Sequence, residues 1–458
     1  MRSNKQPIGT NGLKMTNSKS KYQLICGLEI HAELKTKSKM FCGCVNDPFG
    51  AKQPNIYTCP ICLGMPGGLP VANKQAIEWT IQLGLALNCK IHLFSKFDRK
   101  HYFYPDLPKG YQISQYDQPF CFDGFVETSQ GKVAITRVHL EEDTGKLLHK
   151  TSGGHKVTLV DFNRGGVPLV EIVTEPEIKS ALQAKELAQY LRQIIRYLEI
   201  GDCNMEQGGM RLEANVSLSP NGQLPNYKTE VKNINSFRFL EQAINYEIGR
   251  QSDVLDKHQT PPQETRGFDA GKGVTFSQRI KETAADYRYF PEPDIPPIRF
   301  TKTQVERLQA GLPELPGQVR TRWQRQFNLS PSLVNRLIIS QAQTELLDGV
   351  WQMASRDKLS PTKLADWILN QPKFLKQSFS AHQVIDRYQS ETKTEKVDEK
   401  ELTQIVQQTL IQFPSEVQRF RSGERKLLGF FIGQIKPQVS ASADIKQISS
   451  IINQVLNH

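Results

Sequence analysis

Tyr22-Gln-Leu-Ile-Cys-Gly-Leu-Glu-Ile-His-Ala-Glu-Leu34 alternates apolar and polar side chains along its length. Period-two alternation is the mark of a β-strand whose two faces meet different surroundings. Val133–Leu140, Val157–Phe162, Pro168–Val173 and Arg211–Leu218 read the same way. Helices are expected between them. Val71–Asn88 carries Ile77, Ile81, Gly84 and Leu85 at helical spacing, and Ala181–Ile200 places Leu187, Leu191, Ile194, Ile195 and Leu198 on one stripe, with Gly201 as its stop. Asn235–Arg250 is a third helix. This strand-heavy, irregular order predicts an α+β fold, a cradle domain built on a mixed or antiparallel sheet rather than a regular wound one.

The texture changes after Tyr287-Arg-Tyr-Phe-Pro-Glu-Pro-Asp-Ile-Pro-Pro297, a stiff, proline-rich exit. Val334–Ile339, Leu364–Leu369 and Leu402–Ile411 are spaced for amphipathic helices, and Ser390–Lys400 is a charged linker of low hydrophobicity. The expected organisation is a basic disordered leader (1–21), a cradle domain (22–297) and two small all-α domains (298–393 and 394–458).

Among 458 residues, 38% are hydrophobic and 23% charged, and no apolar run approaches the ~20 residues of a membrane span. That excludes an integral membrane role. The net charge of +11 is unevenly placed. Met1–Lys21 holds Arg2, Lys5, Lys14, Lys19 and Lys21 and no acid; Ile298–His458 has 22 basic and 15 acidic residues, leaving 31 against 32 between them. Cationic ends on a near-neutral body point to a polyanion held at the periphery. The leader has no apolar core, so it reads as a disordered tail rather than a secretory signal, with an organelle transit peptide as the alternative.

All eight cysteines lie between Cys26 and Cys203. Cys42-Gly-Cys44, followed after fourteen residues by Cys59-Pro-Ile-Cys62, has the spacing of a four-thiolate zinc site inserted in the cradle. Four protein ligands close the coordination sphere, so its role is structural. Cys26, Cys89, Cys121 and Cys203 read as core residues. Paired metal-type spacing, rather than a disulfide framework, indicates a reducing, cytoplasmic setting.

Acidic residues inside strands carry the chemical signal. Glu29, His31 and Glu33 share one strand face; His139, Glu141 and Asp143 share another, with Glu142 opposite or re-aimed by a bend. Arg211, Glu213 and Asn215 repeat the pattern, as do Glu230 and Lys232, and Glu171 interrupts an apolar run. Carboxylates with apolar neighbours are costly to desolvate unless a cation compensates them, and a hard ion such as Mg²⁺ suits them. Each, taken singly, also fits the solvated face of a one-sided sheet. Arg99–Asp106 and Asp286–Asp294 interleave basic and aromatic residues, which suits either a single-stranded nucleic-acid platform or loop anchors on the core. Gly-x-x-x-x-Gly-Lys-Ser/Thr, Gly-x-Gly-x-x-Gly and Gly-x-Ser-x-Gly are absent, so any ATP is handled on another scaffold.

Gly27–Thr36, Lys96–Asp106, Tyr111–Gln115, Leu140–Lys146, Leu169–Pro176, Arg211–Ser217, Val231–Phe237 and Asp286–Asp294 together resemble the B-subunit family of the glutamyl-/aspartyl-tRNA amidotransferases. The likeness runs from about Tyr22 to Pro297 and continues more weakly to Arg419–Gln434, which is similar to the family's tail module. The resemblance implies a heterotrimer with A and C subunits that acts on misacylated Glu-tRNA(Gln) or Asp-tRNA(Asn). The chain would use ATP and Mg²⁺ to phosphorylate the side-chain carboxylate. Ammonia from the glutaminase A subunit would then displace phosphate, leaving Gln or Asn on the tRNA. It further implies that Glu29, His31 and Glu142 hold Mg²⁺, that Glu141, Glu171 and Glu213 line the kinase pocket, and that Lys232 meets phosphate. The chain lacks a Gly/Ser-rich amidase segment with a Ser-Ser-Lys nucleophile, so it should not hydrolyse glutamine alone. Two other readings compete: a zinc-stabilised, non-catalytic tRNA-binding protein, and a small-molecule carboxylate–amine ligase.

Overall fold

The computed structural model describes residues 21–280, 287–375, 379–392, 398–439 and 444–457. The leader up to Ser20, Asp286 of the aromatic segment and 393–397 of the charged linker lie outside the described residues. The chain forms two compact units that divide between Gln318 and Val319. The first thus runs past the proline-rich exit at 291–297.

Among the described residues sixteen strands follow in chain order: β1 (Gln23–Glu33), β2 (Lys90–Ile91), β3 (Phe94–Ser95), β4 (Asp98–His101), β5 (Tyr111–Ser114), β6 (Cys121–Thr128), β7 (Gly131–Glu142), β8 (Lys146–Ser152), β9 (His155–Asp161), β10 (Pro168–Thr174), β11 (Met210–Ser219), β12 (Thr229–Ile234), β13 (Glu264–Asp269), β14 (Val274–Ile280), β15 (Phe290–Pro291) and β16 (Ile298–Arg299). Nine of them make one sheet in the order β14-β13-β12-β11-β1-β10-β7-β6-β2. Every pair is antiparallel except β12 with β13, which run parallel. The sheet is therefore mixed, as the alternating strands and irregular order required.

In β1 the even positions Leu24, Cys26, Leu28, Ile30 and Ala32 are buried in the main core, as are Val138 and Leu140 of β7, Val170 and Ile172 of β10, and Leu212, Ala214, Val216 and Leu218 of β11. Three helices, α1 (Lys74–Ala86), α2 (Ala181–Tyr197) and α3 (Phe237–Asp256), cover that face. Fully burying each large aliphatic side chain stabilises the sheet by about 1.5–3 kcal/mol. Asn73, Ser180 and Ser236 cap the three helices by accepting from Ala76, Gln183 and Phe239 N–H.

Gly201 is not the stop of α2. The helix ends at Tyr197 with Leu198 as its cap, and Glu199 takes the left-handed conformation (φ 57°). Gly201 instead permits close approach: a Cβ there would lie 2.8 Å from the Glu33 carbonyl oxygen and 2.9 Å from Ile195 Cγ2. Beyond the exit, α4 (Lys302–Ala310) lies against α1, which is why the first unit continues past Pro297.

The second unit is helical: α5 (Pro316–Phe327) begins at its boundary, and α6 (Pro331–Leu337), α7 (Gln341–Arg356), α8 (Pro361–Leu369), α9 (Ala381–Thr392), α10 (Glu399–Gln412), α11 (Pro414–Arg421), α12 (Leu427–Ile435) and α13 (Ile445–Asn457) follow. Trp323 and Trp351 cross edge to face at 5.8 Å, and Trp323 Nε1 donates to Asp348 at 2.6 Å. Leu402, Val406, Phe420, Phe431, Ile435 and Ile452 form a separate apolar cluster among α10–α13. No helix among the described residues is long and apolar enough to cross a membrane.

Candidate active site

The odd positions of the same strands face away from the helices, and strand pairing aligns them. His31 stands opposite Glu171 on one side and Arg211 on the other; Glu29 stands opposite Glu213, and Glu171 opposite His139. One polar surface results, lining a cleft with a cavity of about 380 Å³. It gathers Glu29, His31, Glu141, Glu171, Glu213 and Lys232, six of the residues singled out in the sequence.

Two acid sets divide this surface. In the first, His31 Nε2 lies 3.3 Å from Glu171 and 3.8 Å from Glu141, and His139 Nε2 lies 3.1 Å from Glu171 and 3.8 Å from Glu141. Ser114 Oγ donates to Glu141 at 2.9 Å. Burial alone would lower the His31 pKa, but the Glu171 and Glu141 carboxylates outweigh it and hold the imidazole at about 9. His139 is raised on the same balance. Burial works against ionisation of Glu171 too, yet His139 and His31 hold its carboxyl well below the usual range. In the second set, Lys232 Nζ is 2.8 Å from Glu213 and 3.1 Å from Glu230, and Asn215 Nδ2 donates to Glu29 at 2.8 Å. Glu29 is raised, chiefly by burial and then by Glu171 and Glu213.

Oxygen and imidazole donors in these sets suit a hard divalent cation. Ligand atoms of His31, Glu141 and Glu171 lie within 4.8 Å of one another, and those of Glu29, Glu213 and Glu230 do likewise. Octahedral ligands at ~2.1 Å from Mg²⁺ stand about 3–4 Å apart, so both sets fit.

Glu142 is not brought to Glu29 and His31. It has the parity of Val138 and Leu140 on β7, so it leaves the strand on the opposite side from Glu141. There it pairs with Lys109, accepts from Ile113 N–H at 3.0 Å, and shares a small cavity with Cys42 and Cys62. The expectation that Glu142 completes a magnesium set with Glu29 and His31 is corrected accordingly.

Periodicity missed the lid of the cleft. Lys100, Tyr102, Tyr287 and Tyr289 line its mouth from the three-stranded sheet β15-β4-β5 and the segments flanking it. The basic–aromatic interleaving was the available signal. Tyr116 and Tyr289 stack at 4.3 Å, while Phe103 and Tyr104 are exposed.

The four cysteines converge as their spacing required. The Sγ atoms of Cys42, Cys44, Cys59 and Cys62 lie within 4.8 Å of one another, compatible with the ~3.8 Å edge of a zinc tetrathiolate at 2.3 Å. Cys59 N–H donates to Cys62 Sγ at 3.2 Å, and Leu63 N–H to Cys59 O at 3.1 Å, a tight turn that gathers the thiols. The Cys62 thiol is drawn down to about 5, first by a hydrogen bond from Cys42 and against the effect of burial, with the backbone of Cys59 and Lys39 adding to it. Cys26, Cys89, Cys121 and Cys203 are buried in the core as free thiols.

Residues 24–306 match the family model described as the GatB/GatE catalytic domain, and residues 331–456 match the GatB domain model. The chain is 42% identical to the B subunit of the aspartyl/glutamyl-tRNA(Asn/Gln) amidotransferase of Thermodesulfovibrio yellowstonii, over 95% of this chain and 99% of the relative. It is 39% identical to the protein of that name in Persephonella marina and 40% identical to that of Thermomicrobium roseum, over 95% of this chain and 99% of each relative. A catalytic-domain match over residues 24–306, which include every residue of the cleft, with similarity along nearly the full length of both chains, places this chain in the B-subunit family of the aspartyl/glutamyl-tRNA(Asn/Gln) amidotransferases.

Proposed function

We propose that this chain activates the side-chain carboxylate of Glu-tRNA(Gln), Asp-tRNA(Asn) or both, within a glutamine-hydrolysing ligase completed by A and C subunits. The observation that carries this is the convergence of Glu29, His31, Glu141, Glu171, Glu213 and Lys232 in one cleft. The match to a catalytic-domain family model disfavours a purely tRNA-binding role. A free carboxylate is a poor acceptor for ammonia because it has no leaving group. Transfer of the ATP γ-phosphoryl to a carboxylate oxygen makes an acyl phosphate and ADP; ammonia then forms the C–N bond as the C–O bond to phosphate breaks.

Mg²⁺ bound by these carboxylates would neutralise charge on the transferring phosphoryl group. His31 with Glu141 and Glu171, and Glu29 with Glu213 and Glu230, are the two sets proposed to hold it. Lys232 and Lys100 are cations on the cleft wall, and Lys232 is proposed to meet phosphate. Burial would lower the Lys100 pKa, but Glu141 and Glu171 more than reverse that, so Lys100 keeps its charge beside the carboxylates, whereas His31 would give up its proton to bind the ion through a neutral ring nitrogen. The four-cysteine module is proposed to hold a structural zinc. The helical tail, 394–458 in the proposed division, belongs to a region from Ile298 with seven more basic than acidic residues, and it is proposed to meet tRNA phosphates.

The test uses the complex co-purified with its partner subunits, given ATP, Mg²⁺ and Glu-tRNA(Gln) or Asp-tRNA(Asn). Gln-tRNA or Asn-tRNA should form with either glutamine or ammonium as donor. Glu171→Gln should abolish both while glutamine hydrolysis by the partner continues. A wild-type complex that binds the tRNA and makes neither product from ammonium would refute the reading.

A further inference from the structure

Among the described residues, strands β8 and β9 pair only with each other, forming a hairpin that joins no other sheet. Its turn is Gly153-Gly154, both at positive φ (55° and 80°), which is the requirement of a type I′ connection. Seven-residue strands reach about 24 Å at ~3.4 Å per residue. An isolated hairpin is marginally stable in water, so this one needs an anchor.

The anchor lies at its base, on both strands. Arg164 donates from Nε to Thr144 O at 3.0 Å and from Nη2 to Gly145 O at 2.7 Å. On the other strand Asn55 donates from its backbone N–H to Asp161 Oδ1 at 3.1 Å and from Nδ2 to Val160 O at 3.2 Å, and it accepts from Phe162 N–H at 2.7 Å. Asn55 belongs to the loop between the two cysteine pairs. The cysteine module therefore sets the direction of the hairpin, and Thr144, which lines the cleft, stands at its root.

From Thr144 to Val160 there is no acidic residue, while Lys146, His149, Lys150, His155 and Lys156 are all exposed. The three lysines enter no ion pair among the described residues. The rest of the exposed surface is Thr151, Ser152, Thr158, glycine and one large apolar side chain, Leu159. Protein interfaces are centred on aromatic and large apolar anchors, and this hairpin has none of the former. Lysines with short hydroxyl side chains are the groups that contact phosphate oxygens. It is a local cationic arm on a body, Tyr22–Pro297, that without its three lysines has 28 basic against 32 acidic residues.

We propose that the β8–β9 hairpin is an RNA-gripping arm that holds the backbone phosphates of the duplex stem next to the acylated end lying in the cleft. This rests on the reading of the cleft as the site for an aminoacyl-tRNA carboxylate. The cysteine module then acts on tRNA through Asn55, without touching the chemistry.

The experiment uses the co-purified complex carrying Lys146→Gln, Lys150→Gln and Lys156→Gln together, with a second complex in which the three are arginine. Binding of Glu-tRNA(Gln) is measured directly across a salt series, alongside amidation kinetics. The glutamine variant should bind tRNA about tenfold or more weakly, and its log–log salt slope should be shallower by about 2–3. KM for the tRNA should rise, with kcat at saturation and melting temperature unchanged. The arginine variant should behave as wild type. Unchanged tRNA affinity and salt slope in the glutamine variant would overturn the proposal, as would an equal loss in the arginine variant. Failure of the glutamine variant to co-elute with the partner subunits would also overturn it, making the arm a protein interface. Because binding is read without turnover, a wild-type complex that binds but does not amidate would count against the proposed reaction and not against the arm.

Discussion

Replacing Glu142 by glutamine, beside the same change at Glu141, tests the face assignment on which the site depends. The two residues are neighbours on one strand, yet one lines the cleft and the other faces the cysteine module. The side chains of Glu142 and Lys109 are only 4% and 9% exposed, so Glu142→Gln leaves a buried ammonium without its counter-charge. Breaking one side of a buried pair costs about 3–5 kcal/mol. At about 2–4 °C per kcal/mol in a large domain, melting should fall by roughly 6–20 °C. The amide still accepts the Ile113 N–H, so that bond does not add to the loss. Surviving folded Glu142→Gln protein should keep most of its kcat. Glu141→Gln should melt below wild type as well, because Glu141 faces the cations Lys100, His31 and His139, although the amide oxygen still accepts from Ser114 Oγ. Its amidation rate should fall by about 10²–10³, the cost of removing one preorganised charged group from a transition state. Scanning calorimetry and amidation from ammonium read the two effects separately. Loss of activity in Glu142→Gln with unchanged melting, together with an active Glu141→Gln, would show that the strand faces are assigned backwards.

Cys59→Ser should lose one equivalent of zinc by metal analysis and lower the melting temperature, since Asp47, Pro48, Gly50 and Pro54 give the 44–59 loop few apolar contacts of its own; full zinc content in that variant would refute the tetrathiolate. Gly84→Ala should destabilise by about 1–3 kcal/mol in denaturant melts, because a Cβ on α1 would sit 2.3 Å from Cys121 Sγ on β6. Adding Cys121→Ala should recover part of that loss, and no recovery would show that the contact is not the cause. Asp348→Ala removes the acceptor of Trp323 Nε1 at 2.6 Å and the partner of Arg322 at 2.7 Å, so the helical unit should lose about 1–3 kcal/mol by tryptophan-monitored unfolding.

The alternation in Tyr22–Leu34 and the Cys42–Cys62 spacing are local facts, and local rules read them correctly. Period two puts Glu29 and His31 on one side of a strand wherever that strand lies in the sheet. Paired cysteines at short spacing need only a tight turn to converge. The same parity set Glu142 apart from Glu141 on β7 unless a bend re-aimed it; the family likeness drew Glu142 into the magnesium set instead. The turn of α2 at Glu199 was hidden because Gly201 has the chemistry of a helix stop but serves a close approach to β1.

What the amino-acid order alone determined was which side chains share a face, which elements form and which thiols can close on a metal. Tertiary structure decided which faces meet. Glu171, His31 and His139 become neighbours only because β10 pairs between β1 and β7, at a register set by burying Ile30, Val170, Ile172 and Leu140 on the far side. Lys100 and Tyr289 reach the cleft because β4 and β15 pair across almost two hundred residues of chain. Such pairings are fixed by the packing of the whole apolar face, so no window of sequence contains them.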